Sequence, residues 1–199
     1  MDGEAYLIRY IDDCIVCFPY RPYAERFQAV LRQRLHKFHL EPSKTRLIAF
    51  GRFAQRDAEL QGRRKPETLY FLGFTHYCTR NRRGGFMIGR KTEKSWLRRT
   101  IQRLQARMRE IRHDRVEDPA RWLNQLLQGH DAYFGMAGNW RQWYQVYRVA
   151  TRYWRRMRSR RSQKSQVTWQ AFQRILERFP LKRPKLYVPY SALREYAIL

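Results

Sequence analysis

Acidic residues are scarce in this 199-residue chain: 17 Asp and Glu stand against 42 Lys and Arg, a formal charge of +25 at pH 7. Such an imbalance makes the compact state repel itself unless a polyanion supplies countercharge, so nucleic acid is the expected partner. Long apolar runs are also missing. None approaches the roughly 20 residues that a membrane-spanning helix needs, so no membrane partner is expected. The opening MDGEAYLIRYIDD carries acids where a secretory signal would carry basic residues. Cysteines are few. Cys14, Cys17 and Cys78 make no disulfide framework, and their odd number points to a reducing compartment, cytoplasmic or organellar. The Cys14-x-x-Cys17 pair has no second pair and no suitably spaced histidines, which favours strand packing over a zinc site. The chain is 43% hydrophobic, enough for one ordinary core or two small ones.

The apolar run YLIRYIDDCIVCF is interrupted by two aspartates and followed by Pro19, which predicts two strands joined by a tight turn. From Tyr23 to Leu40, Phe27, Leu31, Leu35 and Phe38 recur at helical spacing, with Val30 beside them. Glu41-Pro42-Ser43 should end that helix. TRLIAFG reads as a short strand and Arg52 to Glu67 as a polar loop. LYFLGFTHYC and FMIG, separated by NRRGG, predict another hairpin, with glycines supplying the positive backbone angles of the turn.

Near residue 89 the pattern becomes helical. Leu97, Ile101, Leu104, Met108 and Ile111 form one stripe. Asp118-Pro119 reads as the start of a second helix, carrying Trp122, Leu123, Leu126, Leu127 and His130. A third would carry Trp140, Trp143, Tyr144, Tyr147 and Trp154, and a fourth, capped by Thr168, Trp169, Phe172, Ile175, Leu176 and Phe179. RSRRSQKSQ, residues 158–166, reads as a linker, and Pro180, Pro184 and Pro189 make the tail extended. His113 and His130 each stand alone on a helix and fit packing or RNA contact better than a ligand or acid-base role. The expected fold is α+β, with antiparallel hairpins and one helix over residues 1–88 and an all-α domain over residues 89–199.

Two adjacent carboxylates, Asp12 and Asp13, are costly to bury unless a cation neutralises them or a turn exposes them. By themselves they fit a solvent-exposed hairpin turn. Their order with the other segments adds a second reading: Tyr10-x-Asp12-Asp13, a helix, Lys44 after a Pro turn, Phe71-Leu72-Gly73-Phe74, then basic helices.

RYIDDCIVCF resembles the Y-x-D-D motif of reverse transcriptases. LEPSKTRLIAFG is similar to the Lys-Thr segment of group II intron enzymes, and LYFLGFTHY to their primer-grip hairpin. LNQLLQGHDAYFGMAGNWRQWYQVYRVATRYWRRM and the later PKLYVPY resemble the maturase-specific region, also called domain X or thumb. The resemblance covers nearly the whole chain and implies the C-terminal part of a polymerase palm over residues 1–88, followed by the thumb.

It further implies that Asp12 and Asp13 contribute to a Mg2+ site, that Tyr10 and Ile11 line the strand beneath the primer end, and that Leu72 and Gly73 belong to the primer grip. Lys44 becomes a candidate for neutralising departing pyrophosphate. The family's other metal-binding aspartate lies on an earlier palm strand, and only five residues precede Tyr6 here. The isolated chain is therefore expected to be inactive as an RNA-directed DNA polymerase, or to depend on an upstream reverse-transcriptase chain. Its expected partners are group II intron RNA and an RNA/DNA primer-template.

Residues 90–165 hold about twenty basic residues against six acidic ones, which favours a binding face over a merely solvated surface. Arg141, Arg148, Arg152, Arg155 and Arg156 alternate with Trp and Tyr, a mixture suited to phosphates and to stacking. Most of those aromatics are expected in the core, with the arginines binding. Arg158, Arg160, Arg161 and Lys164 would add a salt-sensitive term. The alternative function is a stand-alone basic RNA-binding or splicing-helper protein, in which the Asp-Asp turn has no catalytic role.

Overall fold

The structure is a computed structural model and describes residues 4–39, 45–162 and 166–195. It is a mixed α+β fold with two small antiparallel sheets and several helices. Among the described residues no helix is long and apolar enough to cross a membrane. The chain divides into two compact units: residues up to Phe71 together with His76–Ile88, and Leu72–Thr75 together with the chain from Gly89 onward.

In the first unit β1 (Tyr6–Tyr10) pairs antiparallel with β2 (Asp13–Cys17), in a register running from Tyr6 opposite Cys17 to Tyr10 opposite Asp13. Ile11 and Asp12 form the turn predicted around the aspartates. Every residue of β1 is exposed. The helix that follows, α1 (Arg21–His36), starts with Pro22 in its first turn, where a missing backbone N–H costs nothing. None of its residues is buried, and Phe27 and Val30 are exposed. The helix ends at His36, short of the expected Leu40, so Phe38 of its expected stripe lies in the turn that follows. Leu40 and the Glu41-Pro42-Ser43 stop lie outside the described residues.

Two expectations in this unit are corrected. Thr45–Phe50 has no regular structure, because a short apolar run becomes a strand only where a neighbouring edge satisfies its backbone. The expected loop contains α2 (Ala54–Leu60), whose Ala54 and Ala58 are buried one turn apart. Polar composition concealed this helix: only two small residues form its inner face, and Gln55 donates to Glu59 on the outside.

The second sheet has the order β3-β4-β5: β3 (Thr68–Phe71), β4 (Phe74–Arg80) and β5 (Phe86–Thr92). LYFLGFTHYC is thus two strands around a two-residue turn, with positive φ at Leu72 (49°) and Gly73 (73°), the geometry that matches strand twist. At the predicted Gly84-Gly85 turn, the Asn81 carboxamide oxygen accepts from the backbone N–H groups of Arg83 and Gly85, both at 2.9 Å.

The second unit is built from α3 (Lys94–Glu110), a 3-10 turn at Ile111–His113, α4 (Glu117–Phe134), α5 (Trp140–Ser159), α6 (Trp169–Arg178) and α7 (Tyr190–Glu195). Residues of the predicted stripes meet in one core: Leu104 and Met108 of α3, Ile111 of the 3-10 turn, Leu123 and Leu127 of α4, Trp154 of α5 and Phe172 of α6, joined by Val146, Ala150 and Met157 of α5, which the sequence reading had not placed there. Trp154 and Phe172 meet edge to face at 5.3 Å. Thr168 caps α6 as predicted, accepting from Ala171 N at 3.2 Å.

Asp118 is inside α4 rather than capping it. Its N–H bonds to Arg115 O, which starts the helix at Glu117 and leaves both acids in the first turn, where the helix dipole favours them. The expected linker also begins later, since Arg158 and Ser159 belong to α5.

The proline-rich tail is laced along α4. Asn124 Nδ2 donates to Pro180 O (2.9 Å), while its Oδ1 accepts from Lys182 N (2.6 Å). Asp131 Oδ2 accepts from Lys185 N (3.1 Å), and Val188 bridges to Met136. Gly135 is required at this crossing, because a Cβ there would lie only 2.6 Å from Lys185 O. The tail then turns into α7, which the prolines had hidden from the sequence reading.

Buried Asn139, at the entrance to α5, ties the end of β5 to the end of α4. Its Oδ1 accepts from Thr92 N (2.7 Å) and Thr92 Oγ1 (3.2 Å), and its Nδ2 donates to Phe134 O (2.8 Å).

Candidate nucleic-acid interface

Asp12 and Asp13 are both exposed at the tip of the β1–β2 hairpin, with no salt-bridge partner among the described residues. Ile11 precedes them at φ 52°. A β-branched residue in the left-handed region costs about 1–2 kcal/mol. The peptide is held by Arg9 Nε, which donates to Ile11 O at 3.1 Å. Strain stored at an exposed acidic turn is a pattern found at functional sites. Tyr10 is 56% exposed beside it.

Magnesium keeps most of its waters and takes only one or two protein carboxylates, so this pair is chemically suited to form part of such a site. Among the described residues, however, no group of three or more His, Cys, Asp or Glu could hold a metal ion. Nothing described here completes the donor set.

Leu72 and Gly73 belong to the second unit, and both of their carbonyl groups are engaged there. Leu72 O accepts from the Tyr133 hydroxyl (3.0 Å) and Gly73 O from Glu93 N (2.9 Å). A Cβ on Gly73 would meet Phe134 at 3.6 Å and Trp96 at 3.7 Å.

The arginines of α5 sort by what surrounds them. With 3.6 residues per turn, Arg141, Arg148 and Arg152 fall within about 40° of one another along the helix. All three are exposed, with no ion pair among the described residues. The buried row Trp143, Val146, Ala150, Trp154 and Met157 occupies the other side. Between these two faces lies a row of rings. Trp140 stacks on Tyr144 (5.1 Å, 17°) and Tyr144 on Tyr147 (5.9 Å, 28°).

Three other predicted binding arginines, Arg155, Arg156 and Arg161, make contacts within the protein. Arg155 is half-buried, donates to Val167 O (2.9 Å) and sits 4.4 Å above the Trp169 ring, holding the entrance to α6. Arg161 donates to His113 O (2.7 Å), and Arg156 lies over Tyr153. Burial pulls the Arg158 guanidinium below its ordinary pKa, and the charge of Arg161 adds to this. Arg160 is exposed. Lys44 and Lys164 lie outside the described residues.

The expectation that most of the α5 aromatics are core is only partly met. Trp143 is buried, Tyr144 and Tyr147 are half-buried, and Trp140 is 51% exposed. Trp140 is the first residue of α5 and begins the row of rings beside the buried row, where sequence periodicity cannot show whether another element covers it. His130 is buried against Phe134 at 4.9 Å, a packing position.

Sequence reasoning also missed a basic cleft of about 640 Å³ in the first unit, lined by Arg52, Gln55, Cys78, Arg80 and Phe86 among others. Its two arginines come from segments read separately as a loop and a strand end. No family model, curated protein or solved structure matches this chain.

Proposed function

We propose that this protein binds RNA through its helical unit and is the C-terminal palm and thumb portion of a group II intron-type reverse transcriptase/maturase. The observation that carries the binding is the row Arg141, Arg148 and Arg152. Three exposed guanidinium groups, with no acidic partner among the described residues, lie in line beside stacked aromatic rings. Each arginine that meets a phosphate displaces condensed counterions, giving affinity that is salt-sensitive and independent of sequence.

The family reading rests on the order of the motif segments and on the strained, exposed Ile11-Asp12-Asp13 turn. In it, Mg2+ held partly by Asp12 and Asp13 would align the primer hydroxyl and stabilise charge on the leaving group. If the enzyme is split, a partner chain would supply the family's other metal-binding aspartate. The acidic turn supplies negative oxygens, and the α5 arginines hold the polyanion. Polymerase activity is therefore conditional on assembly, whereas RNA binding is not.

Primer extension on an RNA template with magnesium tests this, using the chain alone and with a reverse-transcriptase fingers-and-palm polypeptide added. The expected result is RNA binding without extension by the chain alone, and extension in the mixture that disappears in Asp12→Ala. Extension by the chain alone would overturn the claim of conditional activity. RNA binding with no extension in any mixture, and indifference to Asp12→Ala, would favour a stand-alone splicing helper.

A further inference from the structure

Trp140 is the open end of a stack that the protein has already built. Tyr147 packs against the core, Tyr144 lies over it, and Trp140 lies over Tyr144, while Trp143 closes one side of Trp140 edge to face at 4.8 Å. Half of the Trp140 surface nevertheless remains in water. Side chains on a helix lean toward its N-terminus, so the stack points out past the first turn of α5. A second exposed ring is close to that end. The Tyr190 hydroxyl lies 3.2 Å from where a Cβ on Gly138 would be, two residues before Trp140, and Tyr190 is 50% exposed. Arg141 and Arg148 flank the row, with no ion pair among the described residues.

We infer that Trp140 is a stacking platform for an unpaired nucleobase, and that the α5 surface therefore prefers single-stranded RNA to duplex. This rests on the nucleic-acid-binding function proposed above and adds which form of the polymer is recognised. The rings hold one another in place before any ligand arrives, so a base that continues the stack orders few side chains on binding. Paired bases inside a duplex are stacked on both sides and present no face to Trp140; only the two end pairs do. Phosphates on either side of the unpaired base then fall to the arginine row. Every base has a π-face, so the site tolerates sequence while selecting for strandedness.

The test titrates a fluorescent 12-nucleotide oligoadenylate and a 12-base-pair RNA duplex against the full chain, for wild type, Trp140→Leu, Trp140→Phe and Arg141→Ala/Arg148→Ala. Loss of one stacking contact is expected to weaken oligoadenylate binding about 10-fold in Trp140→Leu, within the range measured for such platforms. Trp140→Phe should retain most of the affinity, and duplex binding should not change with either ring. The arginine pair should weaken both probes. Ultraviolet crosslinking of wild-type protein to oligouridylate, with peptide mapping, gives a second measurement that requires no variant to fold, and should mark the peptide containing Trp140. Equal oligoadenylate affinity in Trp140→Leu and wild type, with no crosslink at that peptide, overturns the platform. If the arginine pair still weakens binding in that case, the binding function stands without it. Absence of wild-type binding to both probes overturns both.

Discussion

Replacing Asn139 by Ala should destabilise the helical unit severely. The Asn139 side chain is fully buried and satisfies two backbone groups far apart in sequence, Thr92 N–H and Phe134 C=O, besides the Thr92 hydroxyl. Alanine leaves both backbone groups without their partner in a site closed to water. An unsatisfied buried group costs about 1–3 kcal/mol, so the pair should cost roughly 2–6 kcal/mol. For a unit of this size each kcal/mol lowers Tm by about 4–8 °C, so the transition should fall by roughly 10 °C or more. Urea and thermal unfolding followed by circular dichroism measure this, with Asn139→Asp as a second variant that keeps the acceptor and loses the donor. A Tm within about 2 °C of wild type in Asn139→Ala would refute the reasoning, since it would mean that water or local movement satisfies both groups.

Ile11→Asn should leave the hairpin folded and raise its stability by about 0.5–1 kcal/mol, because Asn tolerates the left-handed conformation and the Ile11 side chain is exposed. Amide exchange along β1 and β2 should slow, and unchanged or faster exchange would show that φ 52° is not a source of strain. Asn124→Ala removes two hydrogen bonds that hold the tail, so limited proteolysis should cut within Pro180–Pro189 at enzyme levels that leave wild type intact. Equal resistance would mean that Asp131 and the Val188 bridge suffice.

Sequence reading was strongest where a single face decides the structure. The stripes of α3 and α4 predict Leu104, Met108, Ile111, Leu123 and Leu127, which do meet in one core, because several turns of helical periodicity average out local ambiguity. It failed at α2, whose inner face is only Ala54 and Ala58, and at Thr45–Phe50, where strand-forming residues meet no ladder. The Asp12-Asp13 turn was legible because carboxylates in an apolar run must either be exposed or be neutralised. The strain at Ile11 was not, since backbone angles leave no mark in composition. At α5 the arginines were visible, but their division was not. Arg155 and Arg161 are committed to Val167 and His113 by tertiary contacts that no local pattern encodes.

The most direct test of the central claim is the salt dependence of RNA binding by wild type and by Arg141→Ala/Arg148→Ala/Arg152→Ala. Log affinity for an unstructured RNA is measured against log salt concentration, with circular dichroism confirming that both proteins are folded. Three phosphate contacts at about 0.7 counterions each predict a slope shallower by about 2 in the variant, with weaker binding at low salt. A variant that keeps the wild-type slope and affinity would contradict the account and move the binding surface away from α5.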